Sequence, residues 1–168
     1  MEKNNKENSI AFTGHRPKGL AWGYNEDSTE CKKLKTKIRD AILKFIDIGF
    51  TTFYNGLAEG FDLYSAQILL DLKDEGYPIY LVGCIPCENQ ADFYSSKTKI
   101  QYEEIKNKCD ELYYVTHGHY FNGCTFIRNK YMIDNARVLI TYCSSTTGGT
   151  ASTVKYAKSK GLEIVNLF

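Results

Sequence analysis

Three turns in this sequence combine glycine with side chains able to hold an anion, and each follows a short apolar run. The first is Thr13-Gly14-His15-Arg16-Pro17. Glycine there permits close approach to the backbone, and His15 and Arg16 add donors suited to a phosphate or carboxylate. A tight turn whose arginine pairs with a nearby acid accounts for the same residues equally well. The second is Asn55-Gly56-Leu57-Ala58-Glu59-Gly60-Phe61-Asp62, whose glycines expose backbone N–H groups ahead of a helix, a standing anion site. Asp62 either caps that helix, the safer assignment, or takes a ribose hydroxyl. Glu59 is the candidate acid or ribose ligand of this turn, or else an exposed loop glutamate. The third turn, Ser144-Ser145-Thr146-Thr147-Gly148-Gly149-Thr150, opens the last helix and is the strongest phosphate-cradle signal, with Thr147, Gly148, Gly149 and Thr150 as ligand candidates. It is neither a Walker A loop nor a G-x-G-x-x-G fingerprint. A fourth element is Arg128-Asn129-Lys130-Tyr131-Met132, where Arg128 and Met132 lie one helical turn apart. Its guanidinium either neutralises a phosphate or snorkels to water.

The elements that must position these turns follow from the hydrophobic pattern. Leu34, Ile38, Ala41, Ile42, Phe45 and Ile46 recur at helical spacing on one face. Asp27, with Glu30 three residues on, predicts the start of that helix, and Gly49 its end. Further helices are expected over about 62–75, 95–109, 125–135 and 150–160. Strand-length apolar runs fall at 10–12, 51–54, 79–85, 112–115, 138–142 and 164–167. Alternation of this kind predicts a Rossmann-like, doubly wound α/β domain: a mostly parallel sheet with helices on both faces. Ligands of such sheets bind beyond the carboxyl ends of the strands, where strand order reverses.

The chain has 168 residues, consistent with one domain over 1–168, and residues 1–8 read as a flexible polar N-terminus. That segment lacks the apolar core of a signal peptide, and no apolar stretch approaches the ~20 residues that span a bilayer. A cytoplasmic protein without a membrane partner is expected. Net charge is +1, with 21 Lys and Arg against 20 Asp and Glu, which argues against nucleic acid as the partner. Most of the six cysteines sit in or beside apolar runs and read as small buried hydrophobes. Cys84-Ile85-Pro86-Cys87 lacks a second cysteine pair and a helix to open, so neither metal nor redox chemistry is expected of it. His117 and His119 read as loop residues on the rim.

In order and spacing the motifs resemble the SLOG superfamily, which includes the DprA/Smf proteins and the lonely-guy phosphoribohydrolases, and within it the YpsA-like branch. The resemblance spans 10–166. It is carried by Thr13-Gly14-His15-Arg16-Pro17, Gly56-Leu57-Ala58-Glu59-Gly60-Phe61-Asp62, Ile85-Pro86 with Gln90, Arg128 to Asp134, and Gly148-Gly149-Thr150 with Thr153 to Ala157. It implies a pocket for a nucleotide or an ADP-ribose-like molecule, no further cofactor, and self-association as a homo-oligomer. The ligand set would be Thr13, Gly14, His15, Arg16, Asn55, Gly56, Glu59, Gly60, Asp62, Arg128, Asn129, Thr147, Gly148, Gly149 and Thr150. Lonely-guy enzymes cut N-glycosidic bonds with an arginine that Arg128 matches and a glutamate where this chain has Thr153. The expected role is therefore a nucleotide sensor, carrier or sequestering protein without turnover. N-glycosidase activity, with Arg128 and Glu59 as catalytic candidates, is the alternative, and DprA-like binding of single-stranded DNA the second.

Overall fold

In the computed structural model, which describes residues 5–168, a six-stranded sheet is ordered β4-β3-β2-β1-β5-β6, and every neighbouring pair is parallel. The strands are β1 (Ser9–Gly14), β2 (Thr52–Asn55), β3 (Tyr80–Ile85), β4 (Glu111–Tyr114), β5 (Val138–Tyr142) and β6 (Glu163–Asn166). Between them run α1 (Thr29–Asp47), α2 (Phe61–Asp74), α3 (Ser96–Lys108), α4 (Cys124–Asp134) and α5 (Gly149–Ser159). Of the polar N-terminal segment, residues 1–4 lie outside the described residues, and Lys6–Asn8 form a 3-10 turn.

The sheet is buried on both faces, which is why its strands read as nearly unbroken apolar runs. Successive side chains serve two separate cores. Ile10, Phe12, Val138 and Ile140 pack with α1, α2 and α3. Ala11, Leu139, Val82 and Cys84 pack with Met132 and Ile133 of α4 and Ala157 of α5. The chain steps outward from β1 through β2 and β3 to β4, then returns past β1 to β5. The turns after β1 and β5 therefore diverge to opposite faces, and a crevice opens between them.

The helix starts depart from expectation in an informative way. Ser28, not Asp27, caps α1, because its hydroxyl accepts from the Cys31 amide. Asp27 instead gives its own amide to Asn25 Oδ1 in the preceding turn. Asp62 does not cap α2. Gly60 holds that position at φ 85°, and Asp62 lies buried in the first turn. Gly148 caps α5 at φ 94° and Gly123 caps α4 at φ 90°. None of these three helices has a side-chain cap, whereas α1 and α3 are capped by Ser28 and Ser95.

Gly14 ends β1 where a Cβ would stand 2.3 Å from Cγ of the fully buried Phe61 ring. At Gly149 an added Cβ meets nothing within 4 Å. We expect Gly14→Ala to lose about 1–3 kcal/mol in urea denaturation, as overpacked cores do. Gly149→Ala should match the native protein. Equal stability of all three would show that the β1 turn does not require its glycine.

Candidate functional site

The turn after β1 is tied to its neighbours on both sides. His15 donates its amide to Tyr142 O at the end of β5 (3.3 Å) and accepts at its carbonyl from the Phe61 amide at the start of α2 (3.2 Å). Its ring joins the β5 turn: Nε2 accepts from the Ser144 amide at 2.9 Å, with the Ser144 hydroxyl 3.0 Å away. A ring nitrogen that accepts an N–H carries no proton, so the imidazole is neutral with its proton on Nδ1. Partial burial lowers its pKa in the same sense. Gly60 must be glycine on two counts, its positive φ and the 2.6 Å that would separate a Cβ from His15 O.

The turn after β2 is folded around Asn55, which is fully buried. Its Nδ2 donates to Asp62 O and its Oδ1 accepts from the Leu57 amide, each at 2.9 Å. Leu57 takes φ 52°, the only positive φ outside glycine among the described residues, with its side chain fully buried. A left-handed leucine costs about 1–2 kcal/mol, and such conformations cluster at functional sites.

Between these turns lies a polar crevice of about 200 Å³. Thr13, Gly14 and Arg16 come to it from β1 and its turn, Ala58 and Asp62 from the second turn and α2. Thr125, Arg128 and Asn129 come from α4, and Gly149 and Thr150 from α5. The N-termini of α2, α4 and α5 thus converge on it, each begun by glycine and each lacking a side-chain cap. Orphan N–H groups and the positive ends of helix dipoles favour an anion there.

Arg128 is 2% exposed and anchors the crevice. Nη1 donates to Gly56 O (2.5 Å) and Cys84 O (3.1 Å), and Nε donates to Asn129 Oδ1 (2.7 Å). Nη2 has no partner among the described residues. Asn129 continues the chain of bonds: Nδ2 donates to Thr153 Oγ1, and that hydroxyl donates to Gly149 O, each at 3.0 Å. Gly56 is glycine because a Cβ there would stand 2.5 Å from Arg128 Nη1 and 2.9 Å from Asp62 Oδ2. Burial lowers the Arg128 pKa, an effect opposed by Asp62. Burial also pushes the Asp62 carboxyl up from 3.8 to about 6, against the pull of Arg128, the Ala58 amide and Arg16. Oδ2 accepts from Ala58 N (3.4 Å), and Oδ1 has no partner among the described residues. The Arg16 side chain, exposed on the rim, has no hydrogen bond among the described residues.

Eight of the residues singled out in the sequence share this crevice: Thr13, Gly14, Arg16, Asp62, Arg128, Asn129, Gly149 and Thr150. Asn55, Gly56, Gly60 and His15 instead hold the walls in place, and Thr147 and Gly148 lie exposed ahead of α5. Glu59 stands apart. It is buried, not exposed, and lines a separate cavity of about 20 Å³ with Pro17, Tyr24 and Thr98. Its Oε2 accepts from Tyr24 OH at 3.0 Å, and its buried Oε1 has no partner. Sequence reasoning missed Ala58 and Thr125, small residues whose only signal is adjacency to Glu59 and Arg128. The C-x-x-C pair is buried, and all six cysteines are free thiols. Among the described residues no group of three His, Cys, Asp or Glu is placed to share a metal ion.

A parallel sheet wound in both directions from β1, with a polar crevice at its switch point, defines a Rossmann-like α/β protein. The chain belongs to the YspA SLOG family, whose model matches residues 10–164. The UPF0398 protein YpsA of Bacillus subtilis is 27% identical over 133 residues, covering 78% of this chain and 73% of that protein. The UPF0398 protein OB1025 of Oceanobacillus iheyensis is 26% identical over 128 residues, 76% of this chain and 68% of that one. Among solved structures, DNA processing protein A of Streptococcus pneumoniae superposes with a TM-score of 0.66 at 16% identity, over 95% of this chain. The protein of the same name from Helicobacter pylori, which binds single-stranded DNA, gives 0.63 at 15% identity, also over 95%. The chain spans only 50% and 64% of those two proteins, and the likeness is one of fold. Among the described residues no helix is long and apolar enough to cross a membrane.

The raised pKa of Asp62 has a measurable consequence. A folded state that favours the protonated carboxyl is stabilised fully below about pH 4, and the contribution is lost as pH rises through about 6. Across that window the native protein should lose stability relative to Asp62→Asn, measured by denaturation at a series of pH values. Parallel curves would show that Asp62 titrates as an ordinary exposed carboxylate.

Proposed function

We propose that this protein binds a phosphorylated, ribose-containing small molecule, a nucleotide or nucleotide derivative, in the crevice at the switch point. The observation that carries this reading is Arg128. A guanidinium 2% exposed that lines the crevice, held through Nε and Nη1 with Nη2 unpartnered among the described residues, is a preorganised anion ligand. In this reading Arg16 closes over the phosphate from the rim, and the amides of Gly149 and Thr150 donate to its oxygens. Asp62 Oδ1 accepts from ribose hydroxyls, as acidic residues of dinucleotide sites do.

Binding without turnover is the better-supported role. The position that holds a glutamate in the lonely-guy enzymes is Thr153, which is occupied in bonds to Asn129 and Gly149. Glu59 lies outside the crevice, so Asp62 is its one carboxylate. If glycosidic cleavage does occur, Asp62 and not Glu59 is the group placed to handle the proton.

A second reading, binding of single-stranded DNA, is favoured by the fold shared with DNA processing protein A. A net charge of +1 weighs against it.

Thermal-shift measurement against a nucleotide panel tests the proposal. A ligand at 100 times its Kd adds about 2.7 kcal/mol, which for a domain of this size raises Tm by about 5–10 °C. The Arg16 side chain makes no hydrogen bond or ion pair among the described residues, so Arg16→Ala should keep the native Tm without ligand and weaken nucleotide binding about tenfold. No stabilisation by any nucleotide, together with salt-sensitive binding of a short single strand, would transfer the site to DNA.

A further inference from the structure

Beside the crevice, and sharing Arg16 and Thr125 with it as walls, lies a second cavity of about 280 Å³. Its character is different. Pro86, Phe93 and Tyr120 line it along with the side chains of Asn89 and Gln90. Phe93 is 97% exposed and Tyr120 61% exposed, so neither ring is spent on the core.

A solvated aromatic ring on a surface needs no explanation by itself. The backbone that carries Phe93, however, is fastened to the crevice at several points. Gln90 Nε2 donates to Gly56 O (2.8 Å), the same carbonyl that Arg128 holds, and Gln90 Oε1 accepts from Tyr102 OH (3.3 Å). Tyr94 OH donates to Leu57 O at 3.3 Å. On the other side, the amide of Tyr120 donates to Asn89 Oδ1 at 2.8 Å, which fixes the second ring's backbone to the same turn. Two exposed rings are therefore set on anchored backbone beside the anion crevice, so the backbone part of the ordering cost of stacking on them is already met.

Resting on the nucleotide reading above, we infer that this cavity is the subsite for the ligand's flat heteroaromatic base, stacked on Phe93 and Tyr120, with the phosphate on the Arg128 side. Arg16, which closes over the phosphate, stands at the junction of the two cavities. Asn89 also lines this cavity, and its side-chain NH₂, without a partner among the described residues, is the donor available to the edge of the base. Each cavity alone falls short of the ~300–1,000 Å³ usual for small-molecule sites, and the two as one crevice reach that range. The nucleotide of the proposed function thereby gains a named place for its base.

Calorimetric titration of the full chain with AMP, ribose 5-phosphate and inorganic phosphate tests this. AMP should bind at least tenfold more tightly than ribose 5-phosphate, as base–aromatic stacking provides. In Phe93→Ala that advantage should fall below about threefold, with ribose 5-phosphate affinity and Tm unchanged, since the ring supports no core packing. Tyr120→Ala should reduce the advantage in the same way. Equal binding of AMP and ribose 5-phosphate by the native protein, or an AMP advantage that survives both substitutions, would overturn the base subsite and leave the phosphate site standing. Binding of none of the three would overturn the phosphate site and this inference with it.

Discussion

The burial of one guanidinium organises this molecule's carboxyl edge. A charge removed from water is tolerated only where hydrogen bonds replace the lost hydration. Arg128 finds them in the carbonyls of Gly56 and Cys84, at the ends of β2 and β3, and in the side chain of Asn129. Through Asn129 and Thr153 the same network reaches Gly149 at the start of α5. Four elements that meet nowhere in sequence are thereby referenced to one side chain. The bonds use Nε and Nη1 and leave Nη2 unspent on a side chain that lines the crevice, so the scaffold and the site share a single group.

The glycines follow from that arrangement. Gly56 makes room for the guanidinium and for Asp62, Gly14 makes room for Phe61, and Gly60 lets α2 begin against the His15 carbonyl. At the starts of α2, α4 and α5 a glycine stands where serine caps α1 and α3. An N-cap side chain would occupy the first-turn amides. Without one, first-turn amides of α4 and α5 remain available at the mouth of the crevice, whereas α2 spends Phe61 N on His15 O and Leu63 N on Ala58 O; two arginines outweigh the single carboxylate of Asp62.

The layout of the sheet was legible in the residues because its two signals are local. Period-3.6 and continuous apolar runs mark helices and doubly buried strands, and Gly49 and Gly76, each with φ 99°, mark where α1 and α2 stop. The convergence of the three glycine turns was legible too, since parallel winding sends strand ends to one edge. What was not legible depends on the phase of individual side chains. Glu59 and Asp62 are three residues apart and chemically alike. The left-handed Leu57 and the positive φ of Gly60 turn Asp62 into the crevice and Glu59 toward Tyr24. No composition rule anticipates that. Nor does anything local reveal that Arg128 is buried, because the carbonyls that accept from it lie 72 and 44 residues away in the chain.

The contact between His15 and Ser144 spans 129 residues, and β1 pairs with β5 over a comparable separation. Closing a loop of that length carries a length-dependent entropic penalty of about 4 kcal/mol, and topologies dominated by such contacts fold slowly. During synthesis from the N-terminus, β1 must wait for β5 with one flank unpaired. The anion crevice consequently has no partial form: it comes into being only when the last third of the chain docks. A nascent or truncated polypeptide would retain Arg16 and Asp62 with no guanidinium between them and nothing to hold in place.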